Sequence, residues 1–147
     1  MLEFETDHKG LRRLIYASRY TGGEDFGEAV RTIVNASIQN NRVVDVTGFL
    51  LAGEGWFLQW LEGPAASVGE TLAKIAKDPR HVDLVTIADG PAERRSFRDW
   101  NMGLHRLSAV DTALLAEAGL ERFEPASLTE ERAVRLLTRA GEHHLRR

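Results

Sequence analysis

The sequence has no cysteine, no long apolar run and no excess of positive charge. Without cysteine, disulfide bonds, thiolate chemistry and sulfur-ligated metals are excluded. Without an apolar run of ~20 residues, no membrane-spanning helix is predicted, and the polar start "MLEFETDHKG" is not the apolar segment of a secretory signal. We therefore expect a cytoplasmic protein. The net charge of −3 argues against a nucleic-acid binder that relies on phosphate neutralisation.

The common enzyme motifs are absent as well. The segment "TGGEDFG" (21–27) contains glycines, but with the wrong spacing and with carboxylates where a phosphate would lie. No serine lies in a nucleophile elbow. None of the five histidines shows metal-ligand spacing beside carboxylates, so we predict no metal site and solvated side chains for His143 and His144. The histidines are His8, His81, His105, His143 and His144.

Hydrophobic periodicity predicts one domain built on one sheet. A chain of 147 residues usually forms a single domain with a core large enough to hold a small ligand. Two-residue alternation predicts strands and three- to four-residue spacing predicts helices. The predicted strands are 11–18, 43–53, 56–63, 81–90 and 96–107, and the helices are 24–40 and 65–77. This order, βαββαββ, is typical of an α+β ferredoxin-like sandwich, one sheet with two helices on one face.

Turn and stop signals separate these elements. The glycine-containing turn at 53–55 predicts a hairpin, and the asparagine pair at 40–41 is a stop signal for the first helix. Residues 108–147 contain two shorter apolar stripes, which predict two C-terminal helices ending at Gly119 and Gly141. Two short helices cannot bury their apolar faces alone, so they must pack on the free face of the sheet or on another chain. The chain thus divides into a polar leader (1–10), a core domain (11–107) and a helical C-terminal extension (108–147).

A few polar groups lie inside otherwise apolar segments, and these are the candidate site residues. They are Tyr16 in the first strand, Asn41 at the end of the first helix and Gln59 within "WFLQWLEG", with Trp100 and Met102 on one face of the last predicted strand. These groups form hydrogen bonds, yet none titrates near neutrality. The set suits recognition of a planar heterocycle better than acid–base catalysis.

Each of these residues also has a purely structural interpretation. Tyr16 alone is typical of a core edge, and Asn41 alone is typical of a helix C-cap. Gln59 alone would bond a backbone carbonyl or water. Trp100 and Met102 alone would be core residues.

Taken together, five blocks of the sequence resemble the BLUF domain, a family of blue-light sensors that use FAD. The blocks run in order from Leu11 to Leu104 with matching spacing. They are "LIYAS" (14–18), "NN" (40–41) followed by "VTGFLL" (46–51), "FLQWLEGP" (57–64), "DPRH" (78–81) and "RSFRDWNMGL" (95–104). The resemblance implies that residues 11–107 form a flavin-binding photosensor domain with a ferredoxin-like fold.

The resemblance also implies a role for each matching residue. Tyr16 would give an electron and then a proton to the photoexcited flavin, and Gln59 would bridge this tyrosine to the flavin ring. The rearranged Gln59 would define a reversible, red-shifted signalling state, and packing of Trp100 and Met102 around it would relay the signal. The implied cofactor-binding residues are Tyr16, Ile33, Ser37, Asn41, Gln59, Arg80 and His81. FAD is the implied cofactor, although FMN would also fit a site that reads the ring.

The resemblance further implies a sensor of the stand-alone type, a switch and not an enzyme. Its output would pass through an unidentified protein partner or through self-association, with residues 108–140 as the candidate surface. Two alternatives remain open on the sequence. One is a small acylphosphatase-like hydrolase, for which no anion-binding glycine loop is visible. The other is a ferredoxin-like regulatory module that binds a ligand without photochemistry.

Overall fold

The fold is seen in a computed structural model, which describes residues 10–145. The predicted polar leader therefore lies outside the described residues, apart from Gly10. The strands are β1 (Leu11–Tyr20), β2 (Thr47–Gly53), β3 (Trp56–Pro64), β4 (His81–Pro91) and β5 (Gly103–Arg106). The helices are α1 (Phe26–Val43), α2 (Ala65–Lys77), α3 (Thr112–Glu117) and α4 (Glu130–Leu145), with short 3₁₀ turns at Ala109–Asp111 and Pro125–Ser127. Across residues 10–145, every helix is too short or too polar to span a membrane.

The five strands form one sheet in the order β4-β1-β3-β2-β5. The first four pair antiparallel with their neighbours, and β5 adds to β2 in parallel. Helix α1 connects β1 to β2, which have β3 between them, and helix α2 connects β3 to β4, which have β1 between them. Two split βαβ units of this kind are typical of the ferredoxin-like arrangement. The predicted α+β fold is confirmed.

The sheet has a separate apolar core on each face, because successive side chains of a strand point to opposite sides. Phe57 and Leu61 of β3 pack with residues of α1 and α2. Leu58 and Trp60 pack with residues of α3 and α4. Gln59 shares the face of Phe57 and Leu61, which confirms the predicted orientation. The C-terminal helices cover the face that α1 and α2 leave free.

The predicted hairpin is confirmed, with a loop of only Glu54 and Gly55 between β2 and β3. Both loop residues have positive φ, 52° and 82°. This is the requirement of a two-residue type I′ turn, whose twist matches that of the flanking strands.

The last predicted strand, 96–107, is largely wrong. Only Gly103–Arg106 is a strand, because the backbone N–H groups of Ser96 and Phe97 donate to the Glu62 carboxylate (2.8 and 2.6 Å) and not to a neighbouring strand. Trp100 and Met102 consequently do not share a strand face. Trp100 packs against the core that contains Phe97, under α4, whereas Met102 belongs to the core under α1 and α2.

Three predicted boundaries are also wrong. Helix α1 continues past the asparagine pair to Val43, and β2 begins only at Thr47, after Asp45 with φ of 63°. Gly141 does not end α4, which runs to Leu145. A Cβ at Gly141 would lie 3.0 Å from the Phe97 ring, so glycine serves close packing at this position.

The close approach of β2 to β3 gives a test of the fold. A Cβ at Gly48 would lie 1.9 Å from the backbone oxygen of Trp60, which cannot move aside without breaking the sheet. We expect Gly48→Ala to lower the free energy of unfolding by about 1–3 kcal/mol in urea titrations. Gly90→Ala is the matched control, because nothing lies within 4 Å of the added Cβ. Equal stability of the two variants would contradict the packing.

Candidate functional site

A cleft opens between α1 and α2 above the central strands β1 and β3. Its volume is about 120 Å³. Exposed residues of both helices, Asn40 and Lys74, line it, so it reaches the protein surface. The lining residues are Tyr16, Ile33, Ala36, Ser37, Asn40, Gln59, Lys74, Ile75, Asp78, Arg80 and His81.

The floor of this cleft is a buried hydrogen-bonded chain of three side chains. Tyr16 and Gln59 are directly opposite each other in the β1–β3 register, and they are 0% and 2% exposed. The Tyr16 hydroxyl donates to Gln59 Oε1. Gln59 Nε2 donates in turn to Met102 Sδ at 3.1 Å. The partners that an amide in an apolar strand requires are thus a phenol and a thioether.

Burial keeps the Tyr16 phenol protonated. Removal from water raises the pKa of Tyr16 well above its ordinary value, and the negative charge of Asp78 raises it further. Tyr16 therefore remains a hydrogen-bond donor to Gln59 across the physiological pH range.

The rim of the cleft carries charge in a fixed arrangement. Arg80 Nη2 bonds Asp78 Oδ2 at 2.6 Å, and the backbone N–H of Arg80 donates to Asp78 Oδ1 at 2.9 Å. The side-chain hydrogen bond from Arg80 lowers the pKa of Asp78. His81 Nδ1 lies 2.8 Å from the Ser18 hydroxyl oxygen, and burial lowers the pKa of His81. The rim thus offers a charged pair beside a neutral imidazole at neutral pH.

The structure brings most of the predicted site residues to this cleft. Six of them line it: Tyr16, Ile33, Ser37, Gln59, Arg80 and His81. Asn41 is buried beneath, where its Nδ2 donates to the Asn101 carbonyl at 2.9 Å, and the neighbouring Asn40 lines the cleft. Trp100 lies on the opposite face of the sheet, so only Met102 of the predicted relay pair contacts Gln59.

Two residues of functional interest escaped the sequence analysis. Asp78 lies in the block "DPRH" and orients Arg80 through a side-chain hydrogen bond. Its position two residues before an arginine could have indicated this pair. Glu62 is 1% exposed and accepts hydrogen bonds from Thr47 Oγ1, Trp60 Nε1 and two backbone N–H groups. A carboxylate inside a strand should have indicated such a network, because buried charges require several donors.

The fold and the cleft together define a small α+β domain with an open cleft above a buried tyrosine–glutamine pair. The family model BLUF, described as "Sensors of blue-light using FAD", matches residues 11–103. The chain therefore belongs to the BLUF family of flavin-binding blue-light sensors. The matched region is a light-sensing domain, and the hydrolase and flavin-free alternatives find no support.

Relatives agree with this assignment. Photoactivated adenylate cyclase subunit beta from Euglena longa is 32% identical over 103 residues, covering 69% of this chain and 12% of that relative. The alpha-like protein FB from Euglena gracilis is 34% identical over 99 residues, covering 67% of this chain and 10% of that relative. The chain thus spans only about a tenth of the length of these curated relatives.

Solved structures show the same fold. The photo-activated state of BlsA superposes with a TM-score of 0.81 at 25% identity, covering 88% of this chain and 94% of BlsA. The dark state of BlrB, a BLUF protein, gives a TM-score of 0.72 at 28% identity, covering 92% of this chain and 98% of BlrB. Both similarities extend beyond residue 103, since 88% and 92% of the 147 residues are more than the first 103.

The lowered pKa of His81 predicts a pH dependence of stability. Below the ordinary pKa of about 6.5 the unfolded chain binds a proton that the folded chain refuses, so the free energy of unfolding should fall as pH drops through this range. The loss should level off below the folded-state pKa. Urea unfolding of wild type and His81→Gln at a series of pH values isolates this contribution. Identical pH profiles for the two proteins would contradict it.

Proposed function

We propose that this chain is a light-driven switch in which the bonds of Gln59 are the element that changes. The observation that supports the proposal is the buried chain from the Tyr16 hydroxyl through Gln59 to Met102 Sδ at the floor of the cleft. The oxygen of a side-chain amide only accepts hydrogen bonds and its nitrogen only donates them. Because the two ends of Gln59 have different partners, rotation of the amide gives a second, distinct set of hydrogen bonds.

The residues of the cleft fit a flavin. Ile33, Ala36 and Ile75 supply apolar surface for a planar ring, and Gln59 supplies both an acceptor and a donor. A bound flavin provides the chromophore, which becomes a strong oxidant when it absorbs blue light. Asn41, Ser37, Arg80 and His81 are proposed to bind its polar edges, with Asn41 reaching the ring carbonyls. For Asn41 this requires a bond besides the one that its Nδ2 donates to Asn101.

Tyr16 is the proposed source of the electron. Its phenol is buried and protonated, so transfer of an electron to a bound, photoexcited flavin would make it strongly acidic, and its proton would follow to the same flavin along the bond to Gln59 Oε1. Return of electron and proton to Tyr16 would leave Gln59 rotated or as its imidic tautomer. Gln59 would then offer the flavin a different hydrogen bond, which would account for a red-shifted state that decays in the dark.

Met102 is the proposed first relay out of the cleft. A rearranged Gln59 no longer presents Nε2 to Met102 Sδ, so the thioether loses its hydrogen bond. Met102 directly precedes β5, which pairs with β2 and leads into the C-terminal extension. Trp100, two residues earlier, packs on Phe49 and Phe97 under α4 and would carry the same movement to the opposite face.

FAD is the proposed cofactor, in accordance with the family description. A similar solved structure, that of Klebsiella pneumoniae BlrP1, was obtained with FMN and cyclic diGMP, at a TM-score of 0.63 and 28% identity. FMN is therefore the alternative cofactor, since the residues of the cleft would contact the ring that both flavins share. Extraction and chromatography of the bound flavin decides between the two.

Output is proposed to pass through protein contacts of the C-terminal extension, in the cytoplasm. The inner face of α4 covers the sheet through Ala133, Leu136, Leu137 and Ala140, and its outer face is free for a partner protein or a second copy. The similar cyclases are a precedent for a sensor of this family acting on an effector. No catalytic role is proposed for the described residues.

An absorption difference spectrum between light and dark tests the proposal, and Tyr16→Phe tests its chemistry. We expect blue light to shift the flavin band to the red in wild type and darkness to restore it. Tyr16→Phe should bind flavin but lose the shift, because the proton donor is gone. Tyr20→Phe is the matched control, since the Tyr20 hydroxyl donates to the Glu24 carbonyl outside the floor of the cleft. A normal photocycle in Tyr16→Phe would refute the role.

Gln59→Leu tests the amide itself. Leucine has a similar size but neither donor nor acceptor, so flavin binding should persist while the light-induced shift disappears. Infrared difference spectroscopy should also lose the amide signals of the side chain. Gln39→Leu, on the exposed side of α1, is the matched control and should retain the full shift. A red shift that survives in Gln59→Leu would remove the amide from the switch.

A further inference from the structure

Far from the cleft, three potential metal ligands converge from separate elements. His105 lies in β5, Asp111 in the 3₁₀ turn that follows and His143 near the end of α4. One ligand atom of each lies within 4.8 Å of the others. His105 and Asp111 are buried (4% and 6% exposed), and His143 is exposed. The three residues are 6 and 32 positions apart in sequence, so no short sequence motif connects them.

The geometry of two of the ligands already suits a metal ion. Ligands about 2.0–2.1 Å from a tetrahedral ion lie about 3.3 Å from one another. His105 Nε2 and Asp111 Oδ1 are 3.3 Å apart. The His105 and His143 rings lie 5.2 Å apart, nearly perpendicular at 80°, so neither ring blocks the other. The ligand atom of His143 would have to move by no more than about 1.5 Å to come within 3.3 Å of the other two ligand atoms. An exposed side chain such as that of His143 can move this far.

A second layer of hydrogen bonds orients the carboxylate. Asp111 Oδ2 accepts from the backbone N–H of Ser108 at 2.8 Å and from the Ser108 hydroxyl at 3.3 Å. These bonds leave Oδ1 directed toward His105 Nε2. Outer-shell partners of this kind fix metal ligands in place.

The cluster is also accessible to an ion. A cavity of about 170 Å³ is lined by Asp111 and His143. Three carboxylates and one guanidinium line this cavity, which gives it a net negative charge: Asp111, Glu117, Glu142 and Arg139. Arg139 lies 3.6 Å from both Glu117 and Glu142, so its positive charge is paired with these carboxylates.

From these observations we propose that His105, Asp111 and His143 bind a divalent transition-metal ion, with Zn²⁺ the best match to two imidazoles and one carboxylate. Water could supply a fourth ligand from the cavity that Asp111 and His143 line. The ion would connect β5, the start of the C-terminal extension and α4, and so fix the extension on the sheet. The proposal does not depend on flavin binding or on photochemistry.

Calorimetric titration of the flavin-bound full chain with Zn²⁺, after treatment with a chelator, tests the site. We expect one equivalent to bind, and His143→Gln to weaken binding at least about tenfold, because outer-shell changes alone cost 10- to 100-fold. Glu131→Gln, at an exposed position of α4 outside the cavity, is the matched control and should bind as wild type. Absence of Zn²⁺ binding, or equal affinity in His143→Gln, would overturn the proposal.

Two further measurements separate a coordination site from an acidic surface. Mg²⁺ prefers oxygen ligands, so it should not replace Zn²⁺; equal binding of both ions would overturn the assignment. Zn²⁺ should raise the melting temperature of wild type but not of His143→Gln, since a ligand stabilises only the state that binds it. His143 is exposed, so His143→Gln should fold. The test uses this variant and not His105→Gln, because His105 is a buried side chain.

Discussion

Everything in the cleft depends on the antiparallel register of β1 and β3, which sets Tyr16 opposite Gln59 on a buried face. Neither polar group can reach water there, so each must find its partner within the fold, and they find each other. A slip of β3 by one residue would turn Gln59 to the opposite core and separate it from Tyr16. The flanking apolar residues Phe57 and Leu61 prevent this slip, since they must remain under α1 and α2.

The buried carboxylate of Glu62 is the second constraint. By accepting two backbone N–H groups from the segment after β4, it holds that segment in an irregular path. This path delivers Met102 to Gln59 on one face and Trp100 to Phe49 and Phe97 on the other. The two faces of the sheet are therefore linked through only three residues of chain, 100–102, which follow the segment that Glu62 holds.

The C-terminal extension packs on the second face of the sheet, opposite α1 and α2. Helix α4 packs on the same core as Phe97, and Gly141 allows its backbone to approach that ring. In the proposed switch, a change at Gln59 would reach α4 through Met102, β5 and the Phe97–Trp100 pair. The cluster of His105, Asp111 and His143 ties the same elements together at another point. Attachment of the extension to the sheet is thus the property on which both the proposed switch and the proposed metal site act.

The sequence by itself determined the order of elements, the hairpin, the direction of Gln59 and the membership of five blocks in a flavin-binding family, because periodicity and motif spacing are local properties. It misplaced the last strand and the relation of Trp100 to Met102, because a side chain 34 and 35 residues away in sequence, Glu62, takes the hydrogen-bond donors of Ser96 and Phe97. It also could not show that Asn40 and not Asn41 lines the cleft, or that three distant ligands converge. Tertiary packing decided these points, since they depend on contacts between residues that no local pattern connects.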